Sequence, residues 1–179
     1  MKRAAFLDRD GVINRRPPEG QYVTRWEELQ FLPGVPEAII LLTRAGYEVY
    51  VVTNQRGVAK GLLTQDELES IHQWMCQELA EAGAVITKVY YCPHEKHPPC
   101  TCRKPAPGML LTAAQSYDLD LASSWMVGDS DIDVAAGRNA GCKTVRIVQK
   151  DAIGNSDADL SAPSLIAAVH QILALQPEV

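Results

Sequence analysis

Short apolar runs rich in β-formers alternate along this chain with longer stretches whose apolar positions recur every three to four residues. That alternation predicts a central parallel sheet with helices packed on its faces, a three-layer α/β architecture. The expected strands are residues 4–8, 48–53, 88–92, 124–128 and 143–148. Helical spacing fits residues 34–45, ending at Gly46, and again 107–117, 131–140 and 163–175. The clearest helix starts at Thr64 and stops near Gly83: Thr64 and Glu67 have the capping-box spacing, and Leu68, Ile71, Met75 and Leu79 form one apolar face. Two stretches, 14–28 and 93–107, follow neither period. They are long for connections in such a fold, which marks them as functional loops.

In an open parallel sheet, ligands bind beyond the carboxyl ends of the strands. Asp8, Thr53 and Asp129 each stand at or just past such an end, so they are expected to converge on one crevice. Residues i and i+2 share a face, which turns Asp8 and Asp10 into the same pocket, and Gly11 allows a sharp turn after them. Two carboxylates so close need a cation or a shared proton, and magnesium suits oxygen ligands that include a substrate phosphate. Taken alone, an Asp-Gly turn at a strand end is as often solvated as catalytic. Three further groups follow in order: Thr53-Asn54-Gln55 with hydroxyl and amides, the Arg103-Lys104 pair, and the carboxylates Asp129, Asp131 and Asp133 around Ser130. Each has a bland reading as a turn, a solvated face or a helix N-cap. Their joint occurrence is hard to assign to chance.

Cys92, His94, Cys100 and Cys102 make a second constellation, C-x-H-x5-C-x-C. Three thiolates and an imidazole are a normal tetrahedral zinc set, with His97 as a competing ligand and a redox pair or free thiols as alternatives. Arg103 and Lys104 directly follow the last ligand, so a metal staple would aim both cations. His72, Trp74 and Met75 read as surface or core residues of a helix, and Cys76 and Cys142 as small packing residues.

Size and charge narrow the classes. The 179 residues suit one domain over 1–179, and 46% apolar content is ordinary for a globular chain. A formal net charge of −5 and few, scattered aromatics argue against a nucleic-acid partner. No apolar run approaches the roughly 20 residues of a bilayer span, so no membrane partner is expected. Five cysteines in a chain this long fit a cytoplasmic protein better than a disulfide scaffold. A monomer is the default expectation.

The segments FLDRDGVIN, VVTNQRGVAKG, YYCPH, CTCRKPAPGM and MVGDSDIDVAAG together resemble the haloacid-dehalogenase (HAD) superfamily phosphatases over residues 4–148. The likeness is greatest to the branch of D-glycero-D-manno-heptose 1,7-bisphosphate 7-phosphatases and histidinol-phosphatases. The resemblance implies a HAD-like, Rossmann-like fold and a phosphomonoesterase working through a phospho-aspartate. It makes Asp8 the nucleophile and Asp10 the general acid/base; donating a proton requires a raised pKa at Asp10, which its carboxylate neighbours are expected to supply. Thr53 would bind the transferring phosphoryl group and Lys104 would neutralise it. Magnesium would be held by Asp8, Asp129 and the backbone carbonyl of Asp10, with Ser130 and Asp133 at the edge of its surroundings. The branch also favours His94 and a structural zinc on Cys92, His94, Cys100 and Cys102.

No cap domain fits in either gap between the motifs, so loops must choose the substrate. Asn54, Gln55, Arg56, Arg103 and Ser130 are the expected substrate contacts, with Arg15, Arg16 and Lys60 adding positive charge nearby. Arginine forks suit a second phosphate, which favours a small phosphorylated sugar, the heptose bisphosphate of ADP- or GDP-heptose and surface-glycan synthesis, over histidinol phosphate. A non-catalytic, zinc-stabilised binding module is the reading from another class.

Overall fold

The computed structural model describes residues 1–148 and 157–175. Six strands, β1 (Arg3–Leu7), β2 (Tyr47–Asn54), β3 (Lys88–Cys92), β4 (Trp125–Gly128), β5 (Lys143–Ile147) and β6 (Leu160–Ala162), form one sheet. Its order is β3-β2-β1-β4-β5-β6, and every named pairing is parallel. Five helices join them: α1 (Val35–Arg44), α2 (Gln65–Glu81), α3 (Gly108–Tyr117), α4 (Asp131–Ala140) and α5 (Leu165–Ala174). The five expected strands and five expected helices are all present, with ends shifted by a residue or two. β6 is an addition: three residues, Leu-Ser-Ala, too short and too weakly β-forming to stand out, paired with β5 through Ile147 and Ala162.

Alternation along β1 divides the core. Ala5 and Leu7 face one layer with Val49, Val51 and the inner sides of α1, α2 and α5, while Ala4 and Phe6 face the other with Tyr50, Met126 and α3. On α2 the predicted stripe of Leu68, Ile71, Met75 and Leu79 is buried, and Thr64 accepts from the Glu67 backbone amide at 3.1 Å. Trp74, on the same helix, stacks with Phe31 and meets Trp26 at a tilt, which ties the long β1–α1 connection to α2. That connection contains a short 3-10 turn at Trp26–Glu28, whereas 93–107 has neither helix nor strand. The gaps between motifs are filled by these elements, with no inserted domain among the described residues.

Register sets the site. Leu7 pairs with Val51 and Val127, and Asn54 pairs with Cys92, so the carboxyl ends of β1, β2, β3 and β4 finish along one edge. Among the described residues, no helix is long and apolar enough to cross a membrane.

Candidate active site

A cavity of about 510 Å³ opens at that edge. Asp8, Asp10, Thr53, Asn54, Arg103, Lys104 and Ser130 all reach its wall, together with Asp133 and the loop from Arg16 to Tyr22. Asp8 follows β1 directly and its backbone amide donates to the Val127 carbonyl at 2.9 Å, the last rung between β1 and β4. Gly11, at φ +93°, makes the turn that the chain needs there, and a β-carbon at this position would collide with the Asp129 carboxylate.

Lys104 is the pivot. Only 3% exposed, it places Nζ 2.9 Å from Asp8 Oδ1, 2.6 Å from Asp133 Oδ1 and 2.8 Å from the Val52 carbonyl. Three ammonium hydrogens thus meet three acceptors. Burial opposes the charge, but Asp133 and Asp8 outweigh it and raise the Lys104 pKa. The backbone of Lys104 is clamped too: its amide donates to Asn54 Oδ1 at 3.0 Å and its carbonyl accepts from Asn54 Nδ2 at 3.1 Å. Asp133, expected at the edge of the site, is a direct member of it. It sits in the first turn of α4, and its Oδ2 accepts from the Ser130 amide at 3.1 Å and from the Ser130 hydroxyl at 2.5 Å. The serine-to-aspartate spacing at the helix start was the visible signal; its pairing with a lysine from another loop was not.

Burial and Asp133 push the Asp8 carboxyl up to about 7 against the lowering effect of Lys104. Asp129 rises to about 6, through burial, although Arg16 opposes it with Nη2 at 2.5 Å from Oδ1. Oxygens of Asp8, Asp129 and Asp133 lie within 4.8 Å of one another. Three carboxylates so close, two of them reluctant to ionise, form a hard-oxygen set short of positive charge, and a divalent cation fits that deficit.

Asp10 departs from expectation. Burial alone would raise its pKa, but Arg9, Asn14 and Gln55 lower it overall. The neighbours that matter are donors, not carboxylates: Arg9 grips both oxygens, Asn14 Nδ2 reaches Oδ1 at 2.9 Å and Gln55 Nε2 reaches Oδ2 at 3.0 Å. Asp10 is also outside the carboxylate cluster formed by Asp8, Asp129 and Asp133.

Two expected substrate contacts point elsewhere. Gln55 bridges Asp10 and Thr53 Oγ1, the latter at 2.9 Å, and is buried. Arg56 turns to Glu95, Nε to Oε2 at 2.6 Å, and does not line the cavity. Arg103 does line it, while Nη1 donates to the His94 carbonyl at 3.2 Å. Arg9 went unassigned from sequence and His72 was read as a surface or core residue of its helix; both are buried against the site.

Beside the cavity, the Cys92 and Cys100 sulfurs are 3.6 Å apart, Cys100 and Cys102 3.4 Å, and His94 Nδ1 lies 3.5 Å from Cys92 and 3.2 Å from Cys102. A tetrahedral zinc, with metal–sulfur near 2.3 Å and metal–nitrogen near 2.0 Å, needs ligand separations of about 3.5–3.8 Å, so one such ion fits with slight opening. His94, not His97, completes the set among the described residues. All five cysteines are free thiols, leaving no disulfide at Cys100 and Cys102.

A buried carboxylate meets a buried ammonium at the carboxyl edge of the parallel sheet, and residues 101–168, which include Lys104, match the HAD-hydrolase-like family. The D-glycero-beta-D-manno-heptose-1,7-bisphosphate 7-phosphatase of Rhodopseudomonas palustris is 42% identical over 155 residues, 83% of this chain and 84% of its own length. That of Photorhabdus laumondii is 38% identical over 178 residues, covering 94% and 92%. A crystal structure of D,D-heptose 1,7-bisphosphate phosphatase from B. bronchiseptica, complexed with magnesium and phosphate, superposes with a TM-score of 0.88 at 36% identity, over 97% of this chain and 99% of that one. The chain belongs to this family of HAD-like phosphatases.

Proposed function

We propose that this enzyme is a magnesium-dependent phosphomonoesterase that removes the 7-phosphate of D-glycero-D-manno-heptose 1,7-bisphosphate through a phospho-aspartate at Asp8. The observation that carries the reading is Lys104 wedged between Asp8 and Asp133 on the cavity floor. Attack by a carboxylate on a phosphate dianion requires fixed positive charge at the point of contact, and Lys104 has it in place before substrate arrives.

Asp8 forms the bond to phosphorus as the sugar oxygen leaves. Asp10 gives that oxygen a proton, then takes one from the water that cleaves the phospho-aspartate. The carboxylate form held in the free site serves the second step, while a phosphoryl dianion close by favours the protonated form that the first step needs. The Thr53 hydroxyl would bond a transferring oxygen, and the Lys104 ammonium, its three hydrogens held by Asp8, Asp133 and Val52, would act on the phosphoryl group through its charge. Asp8 and Asp129, with the Asp10 carbonyl and Asp133 beside them, would hold magnesium, whose charge neutralises the phosphoryl group and keeps Asp8 ionised. Cys92, His94, Cys100 and Cys102 would hold a structural zinc that fixes Arg103 and Lys104. Free thiols in such a cluster suit a reducing cytoplasm.

Arg16 and Arg103 stand on the cavity wall with Glu19, a rim suited to the second phosphate of a bisphosphate. The same arginines disfavour the cationic end of histidinol phosphate. The test is kcat/KM for the two substrates with magnesium, against Asp8→Asn as blank. A preference of ~100-fold or more for the bisphosphate, about 2.7 kcal/mol of transition-state binding, is expected. The opposite preference would overturn the substrate, and turnover by Asp8→Asn would overturn the covalent mechanism.

A further inference from the structure

Arg9 is completely buried, yet phosphoryl transfer as derived above gives it no task. A buried guanidinium is expensive unless nearly all its donors are met. Here they are spent on one carboxylate. Nε lies 3.1 Å from Asp10 Oδ1, and Nη2 lies 3.0 Å from Oδ1 and 3.1 Å from Oδ2. The remaining arm, Nη1, is 3.1 Å from His72 Nε2. Arginine has donors only, so Nε2 must accept and the ring proton must sit on Nδ1. His72 comes from the middle of α2, 4% exposed, with its ring against Tyr91 at 5.5 Å between centroids. A helix anchored by four core residues therefore supports a guanidinium, which supports a carboxylate at the cavity wall. Asn14 and Gln55 take the other approaches to Asp10, and its side chain keeps 21% exposure, on the cavity side.

We propose that His72 and Arg9 are positioning residues for proton transfer: His72 orients Arg9, and Arg9 orients the Asp10 carboxyl toward the leaving oxygen. This rests on the acid/base role given to Asp10 above. The rival is a buried ion pair that serves only the fold.

Leaving-group dependence separates the two. An alkoxide leaving from a sugar needs a proton, whereas nitrophenolate leaves without one, and kcat/KM reports the step in which the leaving group departs. The experiment measures kcat/KM for the heptose bisphosphate and for p-nitrophenyl phosphate, with magnesium, in wild type, Asp10→Asn, His72→Phe, His72→Gln and His72→Asn. Asp10→Asn should lose far more on the sugar than on the aryl ester. His72→Phe should lose in the same sense, about tenfold more on the sugar. His72→Gln, whose amide oxygen reaches the place of Nε2 and can accept from Arg9, should recover most of it. His72→Asn, polar but too short, should not, and it carries the test if the phenylalanine variant does not fold. Equal losses on both esters in His72→Phe or His72→Asn, or no recovery in a folded His72→Gln, would overturn the proposal while leaving Asp10 its role. No discrimination in Asp10→Asn would overturn that role and this proposal with it.

Discussion

At the cavity floor, Lys104 lies between two carboxylates and a strand carbonyl with almost no contact with water. A few residues earlier the chain from Pro93 to Cys102 runs without helix or strand, much of it exposed, and is gathered mainly by the convergence of three sulfurs and an imidazole. In the proposed mechanism both regions serve one end, to hold cations at fixed places beside a phosphate. The floor does it with charges that neutralise one another on strand ends the core already fixes. The loop touches the core only through Cys100 and Cys102, beside the buried Cys92, and gathers its other side chains around that ligand set. Lys104 belongs to both, since Asn54 clamps its backbone from β2 and Arg103, the preceding residue, is bonded to the His94 carbonyl.

The largest effect expected from this contrast lies on the floor. Lys104→Met leaves Asp8 and Asp133 buried without their counter-charge, which should cost about 3–5 kcal/mol of stability by denaturant unfolding at pH 8. The loss should shrink at pH 6, because Asp8, already pushed up to about 7, takes a proton there. A pH-independent loss would mean that the two carboxylates are not the cause.

Stripping zinc, or Cys100→Ser, should come next. The loop loses its main staple, so Arg103 and Lys104 drift and kcat/KM should fall about 10-fold or more, while the sheet melts nearly as before. Full activity in zinc-free protein resupplied with magnesium alone would show that the floor fixes Lys104 unaided.

A smaller effect separates the floor's hidden partner from the rest. Burial, helped by Arg9, pushes His72 down to about 3 from an ordinary value of 6.5, with Asp10 opposing and Tyr91 tilted against the ring. The folded value is the lower one, so the unfolded chain binds the proton first. This contribution to stability is whole above pH 6.5 and is lost as the pH falls from 6.5 toward 3, at up to about 1.4 kcal/mol per pH unit. His72→Gln cannot titrate, so the difference between its unfolding free energy and that of wild type should carry this slope. A flat difference would mean that the imidazole is solvated.

The sequence exposed the parts of this machinery that periodicity or local spacing can reveal. The stripe on α2, the ligands on either side of the loop and the acids after β1 and β4 were all readable. What stayed hidden depends on pairing across the fold. Arg9 carries no signal of its own between two aspartates, and nothing near it in sequence announces His72, 63 residues away. The raised pKa expected for Asp10 failed for the same reason: the neighbouring carboxylates are visible in the motif, but the donors that outweigh them come from Arg9, Asn14 and Gln55 folded around it. Asp133 was visible as a helix-start residue, and only the arrival of Lys104 makes it part of the site.

The smallest effect concerns the second tether of the loop. Arg56 meets Glu95 at 2.6 Å in a partly exposed pair, which water and salt screen. With the four ligands of the proposed zinc closing the loop, the pair becomes redundant, so Arg56→Ala should leave kcat/KM for the heptose bisphosphate within about twofold. Redundancy has a testable corollary: in zinc-stripped protein the same substitution should do more harm than in the loaded one, because the tether is then what remains. A large loss confined to KM in the loaded enzyme would instead mean that Arg56 leaves Glu95 to meet the substrate, and the loop would owe its place to the sugar as well as to the metal.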